Sequence, residues 1–251
     1  MSVETYFDHI FIINLARRTD RWGECLSELE RNGIPITAVE RFDAFDHPAN
    51  GHAGCTRSHR MLLRRIADSD WKRVLVLEDD FQVLTLPLLE HYGFKPPKTR
   101  WPVPAGYHVW GTFCSVLGGG GTLGERFEYL LPFVPNEWDV FYLGASYGEP
   151  PISRLNPHVI RCGFMQTTTS YGITREFARI WTQKIDASMG TDDLDRHPGP
   201  IDNTFGSLSH DHLYYVLQPR LICQRLSKSD IDGETNSRIL SMTDPNHENM
   251  V

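Results

Sequence analysis

The chain has 251 residues, 40% apolar and 23% charged, with 25 Lys plus Arg against 32 Asp plus Glu and a formal charge of -7. At roughly 150 residues per domain this length holds one sizeable α/β core with room for an insertion. The composition excludes disordered and collagenous chains, and the acidic balance argues against a nucleic-acid partner, whose phosphates need a basic surface.

The five cysteines, at 25, 55, 114, 162 and 223, are scattered, odd in number and without a Cys-x-x-Cys pair. They read as small packed residues of a reducing compartment, not as a disulfide framework or a zinc knuckle. The amino-terminal stretch MSVETYFDHIFIINLARR is acidic at its start and too briefly apolar for a signal peptide, and no apolar run reaches the ~18 residues of a spanning helix. A cytoplasmic protein is the expectation, with peripheral membrane contact left open.

His9 to Leu15 reads as a buried strand, and Trp22, Leu26 and Leu29 recur at helical spacing through Arg17 to Arg31. Gly33 breaks that helix, and Ile36 to Phe42 reads as a second strand running into the loop FDAFDHPANG. Gly54, Cys55 and Thr56 then open a basic amphipathic helix with an apolar stripe at Met61, Leu62, Leu63 and Ile66. Arg73 to Leu77 (RVLVL) is too short for a helix and too continuously apolar for a half-wet strand, which suits a central parallel strand covered on both faces. It ends in Glu78, Asp79 and Asp80, where the ligands of open α/β sheets sit.

Between about 86 and 135 the pattern loses regularity. Prolines 87, 96, 97, 102 and 104 and glycines 118 to 121 mark an insertion or lid, with one strand candidate at Tyr107 to Trp110. Asp139 to Leu143 and Thr167 to Ile173 read as further strands, Thr174 caps the helix REFARIWTQKI, and Asp192 to Pro200 is a polar loop. The His210-Asp211-His212 triplet precedes the strand YYVLQP, PRLICQ is the last apolar strand, and a polar tail begins near 231. One domain over 1–251 is expected.

Three carboxylates at the end of a buried strand repel one another unless a cation, hydrogen bonds or protonation relieves them. A hard divalent ion does so naturally, Mn²⁺ or Mg²⁺, with Asp79 and Asp80 as ligands and His210 and His212 able to complete the set. The plainer alternative pairs Glu78 with an arginine and lets Asp79 cap a turn, while the histidines belong to a polar turn. Asn14, Arg17, Arg18 and Arg21 follow the first strand, and guanidinium forks suit phosphate. Cys55, Ser58 and His59 share one helical face; a packed thiol and a hydrogen-bonded imidazole explain them better than a nucleophile pair. No Gly-x-Gly-x-x-Gly, P-loop or Gly-x-Ser-x-Gly pattern occurs, which argues against dinucleotide dehydrogenases, P-loop enzymes and serine hydrolases.

The ordered blocks FIINLARRTDRW, FDAFD, GCTRSH, VLVLEDDF, DVFYLG, TTSYGITR, IDNTFG and PRLICQRLSKSDI resemble glycosyltransferase family 25, which contains lipooligosaccharide and collagen galactosyltransferases. The resemblance implies a GT-A type α/β fold, Rossmann-like, with a mostly parallel central sheet and helices on both faces. It implies an inverting transfer of a hexose, galactose first, from a UDP-sugar to a saccharide or glycoconjugate hydroxyl with a divalent ion. On that likeness Asn14, Arg17, Arg21, Asp43, Ser58, Glu78 and Asp79 line the nucleotide pocket, Asp79 and Asp80 hold the metal, and Asp202 is the general base, with His59 and Asp211 in reserve. The family's Gly-Glu opening of the third helix is replaced by His52-Ala53-Gly54, which removes one acidic group. A nucleotidyltransferase using the same carboxylates and a catalytically inactive carbohydrate-binding relative are the alternatives.

Overall fold

The computed structural model describes residues 1–47, 49–92, 116–118, 120–189, 200–231 and 235–236. In chain order the elements are α1 (Val3–Tyr6), β1 (His9–Asn14), α2 (Thr19–Arg31), β2 (Val39–Asp43), α3 (Gly51–Ala67), β3 (Arg73–Glu78), β4 (Phe81–Val83) and α4 (Leu86–His91). There follow α5 (Leu123–Leu130), β5 (Val140–Tyr147), β6 (Ser153–Asn156), β7 (Val159–Arg161), β8 (Met165–Thr174), α6 (Arg175–Met189), α7 (Ile201–Gly206), β9 (Tyr214–Leu217), β10 (Ile222–Gln224), β11 (Ser227–Lys228) and β12 (Thr235–Asn236).

Eight strands form one sheet in the order β2-β1-β3-β8-β5-β9-β7-β6. Six of them run in one direction; β8 and β7 run against it, so that β3 has a parallel neighbour in β1 and an antiparallel one in β8. The expectation of a strand covered on both faces holds for β3, whose Val74 to Leu77 are all buried. Its two neighbours differ in direction because β8 follows β7 in the same sense, against β3, a polarity that no apolar run can signal.

Alternation along the strands sorts the core into two layers. Ile10, Ile12, Leu75, Leu77, Phe141 and Leu143 face α1, α2 and α5 through Tyr6, Leu29 and Phe127. Phe11, Ile13, Val74, Val76, Val140 and Tyr142 face α3 and α6 through Leu63, Ile66, Phe177 and Trp181. Helices therefore cover both faces, as the α/β reading requires. Among the described residues no helix is long and apolar enough to cross a membrane.

Several boundaries move for local reasons. The second strand begins at Val39, because Pro35 and a 3-10 turn at Ile36–Ala38 precede it. Helix α3 begins at Gly51, three residues before Gly54, because the Asn50 side chain accepts a hydrogen bond from the Ala53 amide and caps it. Strand β5 continues past Leu143 to Tyr147. Its Gly144 lets β10 cross close by: a Cβ there would lie 2.1 Å from the Ile222 carbonyl oxygen. Thr174 caps α6, as expected, through the Phe177 amide at 3.2 Å. The expected strand at 107–110, the loop at 192–199 and most of the tail after 231 lie outside the described residues.

Helices α3 and α6 are also joined by charge. Arg60, buried, donates to Asp186 at 2.9 and 2.5 Å, and Arg64 adds a third bond at 2.8 Å. Burial works against ionisation of Asp186, yet the bonds from Arg64 and Arg60 hold its carboxyl below its usual pKa.

Two outcomes follow. Gly144→Ala forces β10 off β5 and is expected to cost about 1–3 kcal/mol in denaturant unfolding, the usual scale of overpacking; an unchanged midpoint would contradict the crossing. Asp186→Asn is expected to cost about 2 kcal/mol at pH 7. Because the folded pKa is depressed, that contribution is full above the unfolded value and disappears as pH falls through the folded one. Urea titrations of parent and variant should therefore converge below about pH 3, and a constant gap down to that pH would count against the pairing.

Candidate functional site

Strands β1 and β3 are parallel neighbours, with Ile13 opposite Glu78, so Asn14 and the carboxylates 78–80 leave the sheet at one edge. Helix α2 starts five residues after β1 and brings Arg21 back over that edge, where its side chain is buried. Asp79 is fully engaged: Asn14 Nδ2 donates to Oδ2 at 2.7 Å and Arg21 Nη1 to Oδ1 at 2.6 Å. The Cys25 thiol donates to the Asp79 carbonyl at 3.2 Å, anchoring the turn from inside α2. Asp80 lies 3.7 Å from Arg21 Nη1 and accepts from Gln224 Nε2 at 3.0 Å through Oδ2. Its other oxygen, Oδ1, is buried with no hydrogen-bond partner among the described residues.

Glu78 points to the other side. Its Oε1 accepts from Thr168 Oγ1 at 2.5 Å and lies 3.3 Å from His59 Nε2, while His59 Nδ1 lies 2.8 Å from the Tyr171 hydroxyl. The tautomer protonated on Nε2 satisfies both contacts, donating to Glu78 and accepting from Tyr171. His59 is thus a fully buried, hydrogen-bonded imidazole that orients Glu78.

The electrostatics follow from one cation among three carboxylates, a formal surplus of two negative charges. Burial works to raise the Glu78 pKa, but the bond from His59 and that from Thr168 bring it below its ordinary value. Burial raises Asp79 despite Arg21. Asp80 goes furthest, to about 7, through burial and the nearby Glu78 charge.

These groups line a cavity of about 530 Å³, bounded by residues 44–47, 49 and 50, the start of α3 and residues 229–231. Ser58 fixes one wall, accepting from the Phe45 amide at 2.8 Å and donating to the Gly54 carbonyl at 2.7 Å. The segment 227–231 crosses the mouth as a strap. Arg21 Nη2 donates to Ser227 Oγ at 2.9 Å and to the Lys228 carbonyl at 2.8 Å. Arg17 bridges Asp46 (2.7 Å) and Asp230 (2.8 Å), and Arg18 also pairs with Asp230. Ile231 passes so near Gly51 that a Cβ there would sit 2.6 Å from its Cα. A smaller cavity of about 130 Å³ adjoins the first, sharing Cys55, Glu78 and Asp80 and adding Thr167, Thr168 and Asp202. Asp202 Oδ2 accepts from the Thr167 amide at 3.3 Å, and Thr167 holds a left-handed φ of 71°.

Two donor sets could hold a cation. Asp80 Oδ1 is a hard oxygen already stripped of partners, beside Glu78. Cys55, His59 and Glu78 offer a mixed set whose ligand atoms lie within 4.8 Å of one another. Burial holds the Cys55 thiol well above its ordinary pKa, with Glu78, Asp202 and Asp80 adding to it, so as it stands that set has a protonated thiol.

Of the residues expected from sequence, Arg17, Arg21, Ser58, His59, Glu78, Asp79 and Asp80 line the first cavity and Asp202 the adjoining one, while Asn14 is not on the lining and acts from behind it, on Asp79. The two histidines of the triplet do not join them. His212 lies 3.2 Å from Asp139 at the start of β5 and His210 pairs with Glu149 at 2.9 Å, and neither lines either cavity. His212 precedes β9 and meets Asp139 where β5 begins, and His210 pairs with Glu149, which follows the end of β5, so each is held by a carboxylate other than Asp80. Asp211 is exposed there too. Asp43 faces Asn14 in register but is 77% exposed beside Arg41; the neighbouring Asp46 lines the cavity instead. Sequence reading missed Gln224, Thr168, Tyr171, Asp46 and Asp230. Only Gln224, the polar end of an apolar strand, carried a local signal.

No family model matches the chain, and no curated protein matches it. Among solved structures it is similar to a glycosyltransferase involved in the glycosylation of the major capsid of PBCV-1, at 11% identity and a TM-score of 0.42, over 86% of this chain and 92% of that one. It is similar also to the apo-form glycosyltransferase GlyE of Streptococcus pneumoniae TIGR4, at 10% identity and a TM-score of 0.45, over 96% of this chain and 62% of that one. Likeness at this level assigns no role to any residue.

The crowding at Asp80 has a measurable cost. Its folded pKa lies above the unfolded value, so the folded state keeps a proton that the unfolded chain has lost, and stability falls as pH rises from about 4 towards 7. Asp80→Asn is expected to stabilise the metal-free protein by about 2 kcal/mol at pH 8, with the gap closing towards pH 5. Urea unfolding in the presence of a chelator reads this, and a variant weaker than the parent at pH 8 would refute it.

Proposed function

We propose that this chain is a divalent-metal-dependent glycosyltransferase of GT-A type, moving a hexose from a UDP-sugar to a hydroxyl of a saccharide or glycoconjugate with inversion. The observation that carries the reading is Asp80: a buried carboxylate with a partnerless oxygen, beside Glu78, opening into a cavity of about 530 Å³ that Arg17 and Arg21 also line. That volume suits a nucleotide-sized ligand. The donor set fits a hard cation, because Asp79 is committed to Asn14 and Arg21 while Asp80 Oδ1 is not. Asp80, with Glu78 next to it, would hold Mn²⁺ or Mg²⁺, which when bound neutralises the negative charge developing on the departing diphosphate.

The chain's own residues supply the rest. Arg17, at the mouth, is placed to exchange Asp46 and Asp230 for diphosphate oxygens. Asn14 and Arg21 hold Asp79 still, so that the adjoining Asp80 is preorganised. Asp202 serves as the general base: in the adjoining cavity it accepts the proton of the acceptor hydroxyl as that oxygen bonds to the anomeric carbon opposite the leaving diphosphate. Galactose is the first donor to test, on the sequence resemblance.

The test is release of UDP from UDP-Gal, UDP-Glc, UDP-GlcNAc and UDP-GalNAc with Mn²⁺ and a saccharide acceptor panel, alongside thermal shifts with UDP plus Mn²⁺. Stabilisation by UDP plus Mn²⁺ that disappears in Asp80→Ala is expected. Asp202→Asn should keep that stabilisation and lose about 10²–10⁴-fold in turnover. Pyrophosphate from a nucleoside triphosphate in place of UDP release would move the chain to the nucleotidyltransferases. Absence of any nucleotide effect would remove the reading.

A further inference from the structure

A second cavity, of about 380 Å³, lies between β4, α4 and α5 and shares no lining residue with the carboxylate cleft. Its wall includes Arg126, a 5% exposed residue in the middle of α5. A guanidinium carries five N–H donors. Arg126 uses Nη1 for one hydrogen bond, to the Leu84 carbonyl at 2.6 Å, and its Nε is buried without a partner among the described residues.

Two other buried arginines have a carboxylate partner. Arg21 has Asp79 and Arg60 has Asp186, each through a charge-assisted bond. Arg126 forms no ion pair with a described residue, although an uncompensated buried charge is among the costliest features a fold can carry. Burial alone lowers its pKa, opposed only by Glu125. Glu125 is itself occupied in the capping box of α5, accepting from the Thr122 amide at 2.7 Å. The acid that does line the wall, Glu28, is spent on the Val83 amide at 2.8 Å, on Asn32 and on Arg31. With Arg31 cancelled by Glu28, the wall carries one net positive charge, at Arg126.

We propose that this cavity binds an oxyanion, the carboxylate or phosphate group of a small polar molecule, on the free donors of Arg126. Gly118, Gly120 and Gly121 also line the cavity, with Thr85 and Asn32 as further polar residues. The ligand supplies the counter-charge that none of the described residues provides, through the fork geometry that suits both oxyanions. The site is separate from the carboxylate cleft, so it stands or falls independently of the transferase reading. It also abuts β4, the strand that follows Asp80 and pairs with the Gln224 strand, so occupancy would brace the back of the cleft.

The experiment titrates inorganic phosphate and, separately, glucuronate against chloride at equal ionic strength. It follows the Nε–Hε resonance of Arg126 by NMR and the melting temperature of the parent, Arg17→Gln and Arg126→Met. One of the two oxyanions is expected to move the Arg126 resonance and to stabilise both the parent and Arg17→Gln, and the one that does so identifies the class. Binding to Arg126→Met should weaken by about tenfold or more, the scale of hydrogen bonds to a charged group. Should Arg126→Met fail to fold, the parent resonance alone decides. An Arg126 signal indifferent to both oxyanions, or equal affinity in Arg126→Met, overturns the proposal.

Discussion

The structure depends on how a strand end carrying three carboxylates is made tolerable. Arg21 is the one guanidinium paired with the Asp79 and Asp80 carboxylates among the described residues, and almost every local feature follows from its placement. It takes Asp79 together with Asn14, so the central carboxylate is neutralised and oriented. Glu78 is turned to the other side and satisfied by His59 and Thr168. Asp80 is left with Gln224 and a bare oxygen, and burial beside Glu78 raises its pKa to about 7. The fold thus concentrates its unresolved charge on one oxygen at the cavity floor, where an added cation is most favoured.

The same guanidinium organises the mouth. By donating to Ser227 and the Lys228 carbonyl it ties the strap 227–231 to the carboxylate floor, and the strap's Asp230 occupies Arg17 and Arg18. Floor and mouth therefore share one network of alternating charge. A diphosphate entering the cavity would meet arginines already held by carboxylates. Exchange of Asp230 for phosphate oxygens is chemically even-handed, since both offer charge-assisted bonds of the same kind.

Much of this could be read from the sequence, and the reasons are local. RVLVL followed by EDD announces a buried strand emptying its polar end into a crevice, and the run HIFIIN ending at an amide does the same for its neighbour. Packing identity at His59 was also legible, because a lone imidazole among apolar helix positions is usually a hydrogen-bonded core group. The failures have equally physical causes. His210 and His212 looked like ligands because alternation can place them together. Their turn lies before β9, however, where His212 meets Asp139 at the start of β5 and His210 pairs with Glu149, which follows the end of that strand. Asp43 ends β2 and Asp46 follows three residues later in the loop, whose path alone puts Asp46 on the cavity.

By itself the sequence determined β1, α2, β2, α3, β3, β5, β8, α6, β9 and β10, since apolar period and capping residues act over a few positions, and it determined that the acidic cluster ends a covered strand. Short elements such as β4, β6, β7 and α7 carried no such signal. Tertiary structure alone decided the partners. That Arg21 rather than Arg17 or Arg18 reaches Asp79, that Gln224 returns beside Asp80, that Gly144 admits β10 and that Arg126 is buried without a carboxylate are all contacts between distant segments. Such contacts depend on strand order and helix rotation, which no local propensity encodes. The net charge of -7 shows the same division: composition states the surplus, and the fold decides where a share of it becomes a site.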